Sequence, residues 1–64
     1  MEELSQRELM VLELITKGLE NKEISRKMFI SIHTVKAHIS SIMKKLNAKN
    51  RTNAVFIACK NNLV

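Results

Sequence analysis

Residues 21–46 read NKEISRKMFISIHTVKAHISSIMKKL, and this stretch decides the fold. It holds two short helix patterns that are joined by a tight turn at residues 29–31. In the second pattern apolar residues recur at i, i+4, i+7, i+8 and i+11, which makes one face of an amphipathic helix. Those residues are Val35, Ile39, Ile42, Met43 and Leu46. The remaining positions are mostly small or basic, so the stretch predicts a helix-turn-helix whose second helix suits the DNA major groove.

The flanking segments complete a prediction of four helices. Ser5-Gln6-Arg7-Glu8 has the pattern of a capping box, so helix 1 begins at Ser5 and ends near Lys17, with Gly18 in a left-handed conformation. The apolar stripe of this helix is Val11, Leu12, Ile15 and Leu19. The predicted N-caps of helices 2, 3 and 4 are Asn21, Ser31 and Thr52, and Asn47 is the predicted left-handed stop of helix 3.

Helix 4 offers a further apolar set to the core or to a partner. Its members are Ala54, Val55, Ile57, Ala58 and Leu63. The predicted fold class is therefore all-α: a compact four-helix domain over residues 1–64, with helices 2 and 3 forming a helix-turn-helix over about 21–46.

Size and composition restrict the class of protein. A chain of 64 residues makes one domain, and 45% hydrophobic content with no proline and one glycine favours helices over disorder. Both aromatic residues are phenylalanine. Folds that bind nucleic acid by stacking bases on several exposed aromatic side chains are therefore not expected.

Charge is segregated along the chain. The formal net charge is +5, all six acidic residues lie in the first 23 positions, and residues 24–64 contain eight Lys or Arg. This balance favours a polyanionic partner, with a merely solubilising surface as the alternative. Membrane binding is not expected, because helix 3 lacks a bulky apolar face and the apolar run at 55–59 is far too short to span a bilayer. A single cysteine and no signal peptide indicate the cytoplasm.

The second helix of the pair carries side chains that suit base recognition. Lys36 can donate to guanine, Ser40 can pair with several bases, and Ala37 can meet a thymine methyl group. His33 lies on the same side of the helix and is the fourth candidate for a base contact. Candidates for phosphate contacts flank them: Lys22, Arg26, Lys44, Lys45, Lys49 and Arg51.

Metal binding and catalysis lack suitable residue patterns. His33 and His38 are five positions apart, roughly 140° around a helix, and so do not share a face. Cys59 is an isolated helical cysteine, and Gly18 is the only glycine, which excludes a glycine-rich phosphate loop. We therefore expect no enzyme activity, no cofactor and no metal.

The spacing of many residues resembles the LuxR/GerE-type helix-turn-helix domain of bacterial transcription regulators. The matching pieces are Leu4-Ser5-Gln6-Arg7-Glu8, Val11-Leu12, Gly18-Leu19, Asn21-Lys22-Glu23-Ile24, Ile30-Ser31, Thr34-Val35-Lys36 with His38, Lys45-Leu46, and Asn50-Arg51-Thr52 with Ala54. The resemblance covers almost the whole chain from Leu4 onward.

The resemblance implies dimers that form through helix 4 on inverted-repeat DNA, as in the output domain of a response regulator. Base contacts are then expected from Lys36, Ala37 and Ser40, and dimer contacts from Val55 and Cys59. Backbone contacts are expected from Asn21, Lys22, Thr34, His38, Lys45 and Arg51.

Some positions depart from the family pattern. Ile32 replaces a residue that is usually polar and often acidic, which brings an apolar side chain near the DNA. Asn47 replaces a glycine and Asn53 a glutamate. Leu9 and Met10 occupy positions that are usually polar. Two interpretations are open: a contact patch for a neighbouring domain or protomer, or scattered surface apolar residues.

The predicted function is sequence-specific binding of double-stranded DNA and transcription regulation in bacteria. We expect helix 32–46 to enter the major groove in a homodimer on an inverted repeat, and RNA polymerase is a further expected partner. The alternative is a helical protein-interaction adaptor that does not read DNA.

Overall fold

The computed structural model describes residues 3–64, and within them the chain is all-α. The helices are α1 (Gln6–Thr16), α2 (Asn21–Met28), α3 (Ile32–Leu46) and α4 (Arg51–Lys60). The third helix is the longest and packs against each of the other three. The four-helix prediction is confirmed, with α2 and α3 as the helix-turn-helix.

Two predicted helix starts are confirmed by their hydrogen bonds. The Ser5 hydroxyl accepts from the backbone N–H of Glu8 at 3.1 Å, and the Ser5 N–H donates to Glu8 Oε1 at 2.8 Å, which makes the capping box reciprocal. At the start of α3 the Ser31 hydroxyl accepts from the N–H of Thr34 at 3.0 Å. The start of α3 is therefore specified locally.

Two predicted N-caps were wrong. The N-cap of α2 is Glu20, whose N–H donates to Glu23 Oε1 at 2.8 Å, and Asn21 is the first helical residue. The N-cap of α4 is Asn50, whose Oδ1 accepts from the N–H of Asn53 at 2.7 Å. The Asn53 side chain accepts in turn from the N–H of Lys49 at 2.9 Å. These two asparagines therefore cap α4 in place of Thr52.

All four helices end in the same way. A residue with positive φ follows each helix, and the next N–H donates to a carbonyl five positions earlier. The left-handed residues are Gly18, Phe29, Asn47 and Asn62, with φ of 89°, 58°, 54° and 54°. The residues after them are Leu19, Ile30, Ala48 and Leu63, and all pack partly buried against the core. Each turn therefore brings one apolar side chain back onto the domain.

The core lies where α3 crosses its neighbours. Its largest fully buried side chains are Val11, Leu12, Ile24, Val35 and Ile42. Burial of a side chain of this size stabilises the fold by about 1.5–3 kcal/mol. The fourth helix adds only Ala54 and Ala58, whose short side chains let α4 lie close to α3 and α1.

Candidate nucleic-acid interface

The side of α3 away from the core is a continuous exposed face. Its apolar side is buried through Val35, Ile42 and Leu46, with Ile39 and Met43 half-buried beside them. The exposed face, which we name the α3 strip, consists of His33, Lys36, Ala37, Ser40 and Lys44. All four predicted base contacts are therefore in the strip, and the helical repeat aligns them along about two turns.

Basic side chains also surround the start of α2 and the start of α4. Lys22 and Lys49 are exposed. Arg51 is half-buried: its Nη1 donates to Asn21 Oδ1 at 2.6 Å and its Nη2 donates to the Leu19 carbonyl at 2.7 Å. Asn21 and Arg51, predicted separately as backbone contacts, are thus held together as one unit.

An open groove of about 560 Å³ lies next to this pair. Asn21, Lys22, Ile32 and Arg51 are among the residues that line it, together with Glu20. The groove therefore links the start of α2, the first residue of α3 and the start of α4 on one surface.

Glu8 forms a bridge between α1 and α3. Its side chain is 7% exposed. Oε1 accepts from Lys45 Nζ at 2.8 Å as well as from the Ser5 N–H, and Oε2 accepts from the Ser41 hydroxyl. Because Ser41 and Lys45 are one turn apart on α3, the carboxylate holds that helix at two successive points.

The bridge changes the acidity of its carboxyl group. Hydrogen bonds from Lys45 and Ser41 favour the charged form more strongly than burial opposes it, and the pKa of Glu8 falls from 4.5 to about 2. The carboxylate is therefore charged throughout the physiological range. Lys45, a predicted phosphate contact, is half-buried and already has this carboxylate as a partner.

The remaining predicted backbone contacts are Arg26, Thr34 and His38: Arg26 is exposed on α2, and Thr34 and His38 are half-buried on α3. The Ser31 hydroxyl donates to the Thr34 hydroxyl at 3.0 Å, which orders the first turn of the helix. Thr34 and His38 both keep part of their surface open to a ligand.

The fourth helix presents apolar surface on its outer side. Val55 is half-buried and Cys59 is an exposed free thiol. Phe56 is 61% exposed, and Lys60 Nζ lies 5.8 Å from the centre of its ring. The two predicted dimer contacts are therefore accessible, and Phe56 enlarges the apolar surface next to them.

Sequence reasoning missed the roles of Glu8 and of the Asn21–Arg51 pair. It assigned Glu8 to the capping box alone, although the carboxylate also contacts residues 33 and 37 positions later. The one available signal was the i, i+4 spacing of a hydroxyl and an ammonium group, Ser41 and Lys45, on the flank of an amphipathic helix.

Within residues 3–64, no three His, Cys, Asp or Glu side chains lie together as a set that could hold a metal ion. None of the helices in that range combines the length and apolarity that a membrane crossing requires.

The known proteins that this chain resembles are bacterial regulatory proteins. The model of the LuxR family of bacterial regulatory proteins matches residues 2–58. The chain is 49% identical over 63 residues to the transcriptional regulatory protein LiaR of Bacillus subtilis, covering 98% of the chain and 30% of LiaR. It is 51% identical over 61 residues to the oxygen regulatory protein NreC of Staphylococcus carnosus, covering 95% of the chain and 28% of NreC.

A solved structure gives the same result for the fold. The response regulator ChrA of a heme-sensing two-component system matches with a TM-score of 0.93 and 39% identity, over the whole chain and 32% of ChrA. The chain thus spans less than a third of the length of these proteins. It belongs to the LuxR family of bacterial regulatory proteins, whose helix-turn-helix domain serves DNA-binding transcription regulation.

Proposed function

We propose that this domain binds a specific double-stranded DNA sequence by placing α3 in the major groove, and that it does so as a homodimer on an inverted repeat. The observation that supports this most strongly is the α3 strip. It is exposed along its length and carries two lysines, a histidine, an alanine and one serine hydroxyl, and the opposite side of the same helix is the centre of the core.

Roles within the strip follow from the chemistry of base edges. Lys36 donates to guanine O6 or N7, Ser40 pairs with an adjacent base, and Ala37 contacts a thymine methyl group. His33, in the first turn, adds a further donor or acceptor. Because Ala37 and Ser40 are small, α3 can come close to the bases, and Lys36 can then contact a base directly instead of through a water molecule.

Phosphate contacts come from the margins of the strip. Lys44 lies within the strip near the end of α3, while Lys22, Lys49 and the Asn21–Arg51 pair flank its start and end. Thr34 and His38 add contacts from the half-buried sides of α3. Lys45 reaches phosphate with the part of its ammonium group that Glu8 leaves open. Such contacts position the protein without reading sequence.

Dimerisation through α4 completes the proposal, with Val55 and Cys59 at the contact. Two copies related by a two-fold axis place two α3 helices in successive major grooves, which requires an inverted repeat. The matched proteins are three times longer and several are response regulators, so we propose that this domain is the DNA-binding output of such a regulator in the bacterial cytoplasm. RNA polymerase is its proposed partner at the promoter.

The first test is selection of bound duplexes from a random library at about physiological salt, followed by sequencing. The expected result is one enriched inverted repeat, whose half-site spacing reports the dimer geometry. An enriched single half-site retains base reading and removes the dimer. Binding that shows no sequence preference and disappears as salt rises rejects the proposal and favours the adaptor alternative.

A further inference from the structure

One side chain on the proposed DNA surface has no role in the function described above. Ile32 is the first residue of α3, and its side chain is 40% exposed. It lines the same groove as Asn21, Lys22 and Arg51, which are proposed phosphate contacts. The groove is lined by apolar residues as well, Ile15 and Leu19 among them, and Ile32 exposes part of its side chain to solvent there.

Core packing accounts only for the covered part of the Ile32 side chain. The buried contribution of α3 comes from Val35, Ile42 and Leu46, which are at most 4% exposed. The isoleucine side chain has no hydrogen-bond donor, so it cannot bind a phosphate as its basic neighbours in the groove can. Its exposed part is suited to an apolar contact.

The position of Ile32 limits what that contact can be. It lies one turn before Lys36, and residues four apart on a helix lie on the same side. The N-terminal residues of a recognition helix are those that contact base edges. The thymine C5-methyl is the apolar group that base pairs display in the major groove.

We propose that Ile32 is a specificity-determining residue that contacts one thymine methyl group in each half-site, next to the base pair that Lys36 reads. This inference rests on the proposed function, because it requires α3 to lie in the major groove. It adds a base contact to those expected from Lys36, Ala37, Ser40 and His33.

Uracil provides a probe that removes only the methyl group. In the selected duplex, each thymine of one half-site is replaced in turn by deoxyuridine, and affinity is measured for the unmodified protein and for Ile32→Ala. The unmodified protein should bind about fourfold more weakly at one position, the effect of one lost apolar carbon contact. Ile32→Ala should bind the thymine and uracil duplexes equally at that position.

Two further variants separate the contact from other effects. Met10→Ala is the matched control, because Met10 is 46% exposed on α1 and its truncation should leave every uracil effect unchanged. Ile32→Ser repeats the test with a polar residue that is compatible with a helix start. A uracil effect due to Ala37 should persist at its own position in both Ile32 variants.

The outcomes are distinct. Loss of one uracil effect in both Ile32 variants, but not in Met10→Ala, supports the proposal. If the uracil effects are identical in all variants, or absent from all, the role of Ile32 is overturned while sequence-specific binding stands. If selection enriches no sequence at all, the proposed function fails and the inference fails with it.

Discussion

Glu8 shows how a single side chain can hold a helix, α3, in place. Its carboxylate is buried and accepts from Lys45, Ser41 and the Ser5 backbone. The bridge therefore links the first turn of α1 to two successive turns of α3, close to the residues that are proposed to touch DNA. The bridge therefore holds α3 in a defined orientation against α1 and also stabilises the fold.

Replacement of this carboxylate should lower the free energy of unfolding. Glu8→Gln keeps the size of the side chain and removes its charge, so Lys45 loses its ionic partner. We expect a loss of about 1–2 kcal/mol at neutral pH, since water around so small a domain screens part of the interaction. Urea denaturation measures it, and Glu13→Gln, in the exposed pair with Lys17, is the control, with a change below about 0.5 kcal/mol.

The same bridge predicts a dependence on acid. Because the folded pKa of Glu8, about 2, lies below its ordinary value of 4.5, its stabilisation is present above pH 4.5 and is lost as pH falls from 4.5 toward 2. The difference in unfolding free energy between the unmodified protein and Glu8→Gln should shrink over that interval. An equal difference at pH 7 and pH 2.5 would show that the bridge is not ionic.

Lys36 should discriminate between bases. Lys36→Ala is expected to weaken binding to the selected sequence by about 1–3 kcal/mol and to relax preference at one base pair, because a donor to guanine is lost. Affinities for the selected duplex and its single-base variants measure this, with Lys17→Ala on α1 as control. An equal loss on every sequence would reduce Lys36 to a phosphate contact.

Among the helices, the turn between α2 and α3 has an unusual composition. Phe29 is in the left-handed region with φ of 58°, where residues with a Cβ atom are disfavoured, and its side chain is 94% exposed. The turn closes because the Ile30 N–H donates to the Ser25 carbonyl and Ser25 Oγ donates to the Ile30 carbonyl. Local strain is therefore tolerated where the two helices are held by other bonds.

Phe29→Gly should raise the free energy of unfolding by about 0.5–1 kcal/mol. The left-handed penalty of about 1–2 kcal/mol is relieved, and the greater entropy of glycine in the unfolded chain offsets part of the gain. Thermal unfolding measures the change, with Asn47→Gly as control, because asparagine already tolerates this conformation and should gain less. A destabilised Phe29→Gly protein would show that the ring contributes packing.

Over the whole molecule, charge is arranged so that positive groups remain near the proposed DNA surface. Residues 24–64 have no acidic member, and the acidic Glu8 is neutralised internally by Lys45. The slope of log affinity against log salt should therefore report how many of these cations contact phosphate.

Lys44 and Lys45 are neighbours, but Lys44 is exposed whereas Lys45 is paired with Glu8, so they form a matched pair for this test. Each change to alanine should weaken binding on all sequences and reduce the slope of log affinity against log salt by about 0.9. Only Lys45→Ala should also lower the stability of the free domain, because Glu8 then stays buried without its cation. A slope unchanged in Lys45→Ala, together with the expected loss in Lys44→Ala, would confine Lys45 to the bridge.

Features that depend on neighbouring residues could be predicted from the sequence. The existence of four helices, the caps at Ser5 and Ser31 and the left-handed stops at Gly18 and Asn47 all rest on interactions over a few positions. The exposed face of α3 follows from the same helical period that defines its buried face. The errors in capping arose where two polar residues competed for one helix start, as at Asn50 and Thr52.

Contacts between distant helices depended on tertiary structure. Glu8 meets Ser41 and Lys45 across more than 30 positions, and Arg51 meets Asn21 across 30, because the crossing angles of packed helices bring them together. The fold class, the helices and the side chains along the α3 strip could be predicted from the sequence, since these follow from local periodicity. The pairing of the charges and the position of Ile32 in the groove could not, since these depend on how whole helices pack.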